Sequence, residues 1–326
     1  MNTLEFTKRT KRFLEKKEPF FFLINFDKSI KHVYSYKEAL ERGILFNIKG
    51  NTNFDQSKRN FKPLHNPLLD VNPFPFESYL NGFEKVVQHL KKGNSFLVNL
   101  TFPSKIISPI HLESVFWNAN APYKLLFQDQ FVCFSPECFI RIQDDHVFSY
   151  PMKGTVDATL EGAAALLMDN SKEKQEHHTI VDLIRNDLSM IARNVTLTKF
   201  RYLEKIKTAK GEIWQTSSEI RGQLPPDWKE NFGELLLKML PAGSISGAPK
   251  TQTLNIIESA ENYKRGYYTG IFGIFDGNTI DTGVAIRFIE KKENTFWYKS
   301  GGGITHQSNV KEEYIELIKK IYIPTI

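Results

Sequence analysis

The stretch from Tyr123 to Tyr150 constrains the fold most. It holds four short runs rich in β-branched and aromatic residues, at 123–127, 131–134, 138–142 and 146–150, with only a few turn-forming residues between them. Runs of four or five residues are too short for helices, and connections this short can join only antiparallel neighbours. The spacing therefore predicts an antiparallel meander.

Helical periodicity brackets this region. Tyr79, Phe83, Val86, Val87 and Leu90 keep the spacing of one helix face until Gly93, after which "SFLVNLTF" reads as a strand. Downstream, Ile180, Leu183, Ile184 and Ile191 mark the buried side of a helix over 172–192. Strands follow at 195–207 and 212–222, then a helix over 231–239, the loop "PAGSISGAPK" and a helix from Thr251. "GIFGIFDGNTIDTGVAIRFIE" reads as a hairpin turning at Asp276-Gly277, with Arg287 alternating with Ala285 and Ile289 on one face. A strand ending in glycines, "TFWYKSGGGIT", and a helix over 311–321 close the chain. Mostly antiparallel strand clusters interrupted by helices make an α+β fold. The proline-rich run at 60–76 marks a soft boundary between a short N-terminal lobe, 1–70, and the rest of the chain, 71–326, which together form one compact unit.

With 41% hydrophobic and 25% charged residues, the 326-residue chain can bury a sizeable core. Cys133 and Cys138 lie too close together for a disulfide framework and lack further Cys/His pairs for zinc, so a reducing cytoplasm fits. "PFFFLIN" is too short for a signal segment, and no stretch spans a membrane. The first 70 residues carry 14 basic against 8 acidic side chains, which accounts for the whole formal charge of +6. A run such as "KRTKRFLEKK" is either a docking surface for an acidic partner or for nucleic acid, the reading that would make this a non-catalytic binding protein, or a solvated helix face. No nucleic-acid module accompanies it, so no nucleic acid is expected as partner.

Three features could carry chemistry. In "YPMKGTVDA", Lys153 sits near a strand end beside Gly154, the residue type that permits close backbone approach to a ligand. A lysine there either enters a cleft or extends to solvent. Glu173 with Glu176, and Glu313 with Glu316, are spaced i, i+3 on two helices, so each pair shares one face. Facing each other, the four would suit Mg²⁺; separately, each is an ordinary solvated pair. "PAGSISGAPKT" ends like a phosphate-binding loop, but Pro249 offers no N–H before Lys250 and excludes that reading.

The order of motifs says more than any one of them. "SPECFI", "PMKGT", "KEKQEHHTIVDLIRNDL", "SISGAPK", "RGYYTGIFG", "VAIRFIE" and "GGGITHQSNVKEEYIELIKK" together resemble the chorismate-utilising enzymes over residues 78–321. The resemblance implies two packed, mainly antiparallel sheets with helices outside. It implies Mg²⁺ as cofactor, with Glu176 and Glu316 as direct ligands and Glu173 and Glu313 acting through water. Gly154, Thr155, Ser244, Tyr268, Arg287 and the amides of Gly301 and Gly303 would hold chorismate, and Lys320 would sit beside the metal. Glu137 of "SPE" matches the family's general acid.

Within the family, anthranilate synthases usually carry alanine at the position of Lys153 and aminodeoxychorismate synthases carry lysine. Isochorismate and salicylate synthases place a water-activating lysine where this chain has Leu97. The resemblance thus implies that Lys153 attacks C2 of chorismate as a neutral amine, and that ammonia then enters at C4 to give 4-amino-4-deoxychorismate, a precursor of 4-aminobenzoate and folate. It implies a separate glutamine amidotransferase subunit as the ammonia source. Gln215 departs from a frequent histidine, and Ser244 from a frequent threonine.

Overall fold

The structure is a computed structural model that describes residues 1–55, 69–208 and 211–325. The first half comprises α1 (Thr3–Glu15), β1 (Phe20–Ile24), β2 (Lys31–Ser35), α2 (Tyr36–Glu41), β3 (Ile44–Ile48), β4 (Asn51–Thr52), β5 (Val71–Asn72), α3 (Phe76–Lys91), β6 (Leu97–Ile106) and α4 (Leu112–Asn118). The middle comprises β7 (Tyr123–Phe127), β8 (Phe131–Ser135), β9 (Cys138–Gln143), β10 (His146–Ser149), β11 (Met152–Asp157), α5 (Ala163–Asp169), α6 (Ser171–Ser189), β12 (Arg193–Thr208) and β13 (Gly211–Gln223). Then follow α7 (Trp228–Met239), α8 (Gly243–Ser246), β14 (Gly247–Ala248), α9 (Lys250–Glu261), β15 (Ile271–Phe275), β16 (Ile280–Val284), β17 (Phe288–Lys292), β18 (Thr295–Ile304) and α10 (Val310–Lys319).

The strands form two nine-stranded sheets. One runs β11-β13-β10-β9-β16-β15-β1-β2, with β12 added on β13; the other runs β14-β6-β18-β17-β8-β7-β3-β4, with β5 added on β6. The α+β expectation of two packed antiparallel sheets with helices outside is borne out. β1 shows how the layers arise from sequence. Its five residues, "FFFLI", are all buried, because alternate side chains serve two different cores. Phe20, Phe22 and Ile24 pack under α1, α6 and α7 with Phe6, Leu188 and Phe232. Phe21 and Leu23 face the second sheet, packing with Phe46, Leu125 and Phe131. On that sheet's outer side, α3, α9 and α10 cover Leu100 and Phe102 with Phe83, Ile256 and Leu317.

The N-terminal strands are built into both sheets: β1 and β2 complete one edge of the first, β3 and β4 one edge of the second. Residues 60–68 of the proline-rich boundary lie outside the described residues; residues 71–72 of that run pair with β6. The basic run lies on α1, which buries Phe6, Phe13 and Leu14. Its outward charges are partly answered, Arg9 by Glu38 and Lys11 by Glu230, each at 2.9 Å. No helix among the described residues is long and apolar enough to cross a membrane.

Two strand expectations are corrected. The run 123–150 is not one meander: β7 and β8 pair in the second sheet, β9 and β10 in the first. The break falls at Pro136, which has no N–H for a ladder. Likewise 270–290 is not one hairpin. β15 and β16 pair around the predicted turn, but the strand stops at Val284 and β17 joins the other sheet. Arg287 is therefore not in a β run; it takes a left-handed φ of 51° where the chain crosses.

Candidate active site

The two crossings lie side by side. The Val284 N–H donates to the Glu137 carbonyl, and the Phe134 N–H donates to the Arg287 carbonyl, both at 3.1 Å. A break forced by Pro136 and a left-handed residue thus bring an acid and a guanidinium to one corner between the sheets, where both line a cavity of about 1020 Å³. The Ser244 hydroxyl donates to Glu137 Oε1 at 2.8 Å. Burial pushes the Glu137 carboxyl above its ordinary range, against the Ser244 hydrogen bond and the charges of Arg287 and Lys320. That shift suits a group that must keep a proton to give away. Arg287 Nε is buried without a partner, which leaves a donor for an anion entering the cavity. Tyr268, buried at 4% exposure, lines the same wall.

Lys153 is delivered by a β-bulge. Met152 pairs with Ser217 and Thr155 with Gln215, so Lys153 and Gly154 together oppose the single residue Thr216. The bulge is pinned from β13: the Thr216 hydroxyl donates to the Lys153 carbonyl, and the Ser218 N–H to the Pro151 carbonyl at 2.9 Å. Gly154 has a φ of 86°, and a Cβ there would come within 3.0 Å of Glu173 Oε2, so glycine answers both strain and crowding. The bulge sends the ammonium to Glu176, with Nζ 2.7 Å from Oε2. Burial alone lowers the lysine's pKa, but the Glu176 hydrogen bond and the charges of Glu176, Glu316 and Glu173 more than offset it, leaving it raised. In this arrangement Lys153 is an ammonium.

The four glutamates face the cavity from α6 and α10. Helix α6 begins where the Asn170 side chain accepts the Glu173 N–H at 3.0 Å, a cap that sets the rotation of the Glu173 and Glu176 face. Opposite, Glu316 Oε1 lies 2.6 Å from Lys320 Nζ, which also donates to the Gly301 carbonyl at 2.8 Å. A Cβ on Gly302 would lie 3.4 Å from Glu316 Oε1 and 3.5 Å from Glu313 Oε2, so both carboxylates rest on the glycine strand. That strand is regular: Gly301, Gly302 and Gly303 pair with Thr101, Leu100 and Asn99 of β6. Gly301 and Gly303 line the cavity together with Leu97, Thr155 and Gln215.

Among the described residues, no three His, Cys, Asp or Glu side chains gather closely enough to hold a metal ion. The donor chemistry nevertheless fits a hard cation. Glu173 Oε2 is buried without a hydrogen-bond partner, burial holds the Glu313 carboxyl above its ordinary range, and Mg²⁺ is taken by one or two carboxylates and its own waters.

Sequence reading missed a set of buried polar residues around this cavity. His177 is fully buried, with Nε2 2.7 Å from the Ser218 hydroxyl, and it ties α6 to β13 behind the bulge. Asp187 is 5% exposed and pairs with Lys250 at 2.7 Å. A signal existed for Asp187, which falls three residues after Ile184 on the face that the apolar residues mark.

A family model for chorismate binding enzymes matches residues 16–325. A protein of Haemophilus influenzae, named as an uncharacterized PabA-like protein, is 51% identical over 98% of this chain and 96% of its own length. Aminodeoxychorismate synthase component 1 of Bacillus subtilis is 30% identical, covering 77% of this chain and 55% of its own. The crystal structure of anthranilate synthase component I from Streptococcus pneumoniae superposes with a TM-score of 0.67 at 25% identity, over 80% of this chain and 60% of its own. The chain thus spans little more than half the length of these two synthases. From the paired sheets, the glutamate-bearing helices and a match over nearly the whole sequence, the chain belongs to the chorismate binding enzyme family.

Proposed function

We propose that this enzyme is an aminodeoxychorismate synthase of the component I type, adding ammonia from a separate glutamine amidotransferase subunit to chorismate to form 4-amino-4-deoxychorismate. The observation that carries the reading is the bulge that presents Lys153 to the same cavity as Glu137. Glu137 gives its proton to the C4 hydroxyl, which leaves as water while the Lys153 amine bonds to C2. Ammonia then bonds to C4 and the lysine departs, with the enolpyruvyl ether retained. Arg287, Tyr268 and the Gly301 and Gly303 amides hold one substrate carboxylate, and Gly154, Thr155 and Ser244 flank the ring. Glu176 and Glu316 would hold Mg²⁺ directly, with Glu173 and Glu313 through water and Lys320 adjacent; the ion supplies positive charge for the other carboxylate.

The reading sets a condition on Lys153. It can attack only after its contact with Glu176 is released and the ammonium has given a proton to solvent, because that contact stabilises the charged form. Leu97, with no basic group, speaks against activation of water at its position.

Protein supplied with chorismate, Mg²⁺ and ammonium should yield 4-amino-4-deoxychorismate, which an added lyase converts to 4-aminobenzoate. The ion pair that withholds the Lys153 amine favours a second reading, direct attack by ammonia as in an anthranilate synthase. Chromatography that finds anthranilate and an equal amount of pyruvate would establish that alternative and overturn the first.

A further inference from the structure

Lys250, excluded from a phosphate loop by Pro249, has a different assignment. Its Nζ lies 2.7 Å from Asp187 Oδ1 and donates to the Met239 carbonyl. The other carboxylate oxygen, Asp187 Oδ2, accepts the Gly243 N–H at 2.8 Å. The next residue, Ser244, donates its hydroxyl to Glu137 Oε1 at 2.8 Å. A continuous path therefore runs from α6 through a buried ion pair and one backbone amide to the carboxyl that gives up the proton. The far end of the same short segment is held separately, where Arg265 donates to the Ile245 carbonyl at 2.7 Å.

We propose that Asp187 and Lys250 are positioning residues for Glu137: the pair fixes the Gly243 N–H and, through it, the Ser244 hydroxyl that bonds the acid. This rests on the reading of Glu137 as the proton donor. Asp187 also lines the cavity, but its two carboxylate oxygens are engaged by Lys250 and the Gly243 N–H, so its effect reaches Glu137 through Ser244. The other groups that face Glu137 are Arg287 at the second crossing, Lys320 at the end of α10 and the neighbouring thiol of Cys138, and none of them is held by Asp187. Ser244 favours the ionised carboxylate, so losing its hydrogen bond makes Glu137 keep its proton to higher pH.

The test follows the Glu137 carboxyl directly, by NMR titration of protein carrying ¹³C-labelled glutamate, with the resonance assigned by its loss in Glu137→Gln. Ser244→Ala sets the reference and should move the titration upward by about one pH unit. The double variant Asp187→Leu/Lys250→Met, which leaves no lone buried charge, should move it in the same direction by a similar amount. Adding Ser244→Ala to it should produce no further shift. In assays with chorismate, kcat should fall at least about tenfold with little change in KM, and the alkaline limb of the pH profile should rise with the titration. A folded double variant whose Glu137 titrates as in wild type overturns the inference. If that variant does not fold, Asp187→Asn/Lys250→Met removes the ion pair with less loss of volume and should move the titration in the same direction by part of the Ser244→Ala shift; a titration as in wild type overturns the inference equally. The titration needs no turnover, so an inactive wild type or a different product counts against the proposed function alone.

Discussion

Lys299 offers a sharp quantitative test of the electrostatics in this fold. It lies in β18, two residues before the glycines, with its side chain 1% exposed and Nζ 2.9 Å from Glu290 Oε2. It also donates to the Arg265 carbonyl at 2.9 Å. Burial lowers its pKa from 10.5 to about 8, against the pull of Glu290. That drop corresponds to about 3 kcal/mol of stability forgone while both folded and unfolded chains carry the proton. The sign follows from which state lets go first. Below pH 8 both states are charged and the cost is constant. Between about 8 and 10.5 the folded protein releases a proton that the unfolded chain keeps, so stability rises with pH. Tyr263 and Tyr298 act oppositely, since burial raises their phenols and the unfolded chain ionises first. Comparison with Lys299→Met cancels that contribution, and Glu290 keeps Lys292 at 3.2 Å in the variant. Urea unfolding at 25 °C should show wild type gaining about 2 kcal/mol on the variant between about pH 7 and pH 9.5. A difference that stays flat across that range, or falls, refutes the argument that burial controls this lysine.

Further outcomes are expected around the cavity. Wild-type protein quenched during turnover should show by mass spectrometry a chorismate-derived adduct on Lys153, absent in Lys153→Ala; identical spectra would remove the nucleophile from the reading. Gly154→Ala should destabilise the fold by about 1–2 kcal/mol from its left-handed φ, and should displace Glu173, read as weaker Mg²⁺ binding by calorimetry. Gly247→Ala should be worse, because its Cβ would sit 1.9 Å from the Leu97 carbonyl oxygen at a φ of 122°; a melting temperature within a degree of wild type would contradict this. Arg287→Lys keeps the charge but loses the planar fork, so KM for chorismate should rise about tenfold or more while the fold is retained.

Much of this was legible in the chain itself. Glu173 and Glu176, and likewise Glu313 and Glu316, share faces because helical spacing is local, whereas the sequence offered Gly154 only as a point of close approach to a ligand and the structure adds its left-handed φ and the crowding by Glu173. The short β runs were placed almost to the residue, since alternation and turn chemistry are properties of neighbouring residues. What the sequence could not show is which sheet each strand joins. Pro136 and the left-handed Arg287 end strands locally, but the decision that β9 and β17 cross to opposite sheets comes from long-range burial. So does the meeting of Glu137 with Arg287, the bulge that turns Lys153 toward Glu176, and the pairing of Asp187 with Lys250 across 63 positions. Local periodicity fixes which side chains share a face; only the closed packing of two sheets and their helices fixes which faces meet, because that choice minimises exposed apolar surface over the whole molecule.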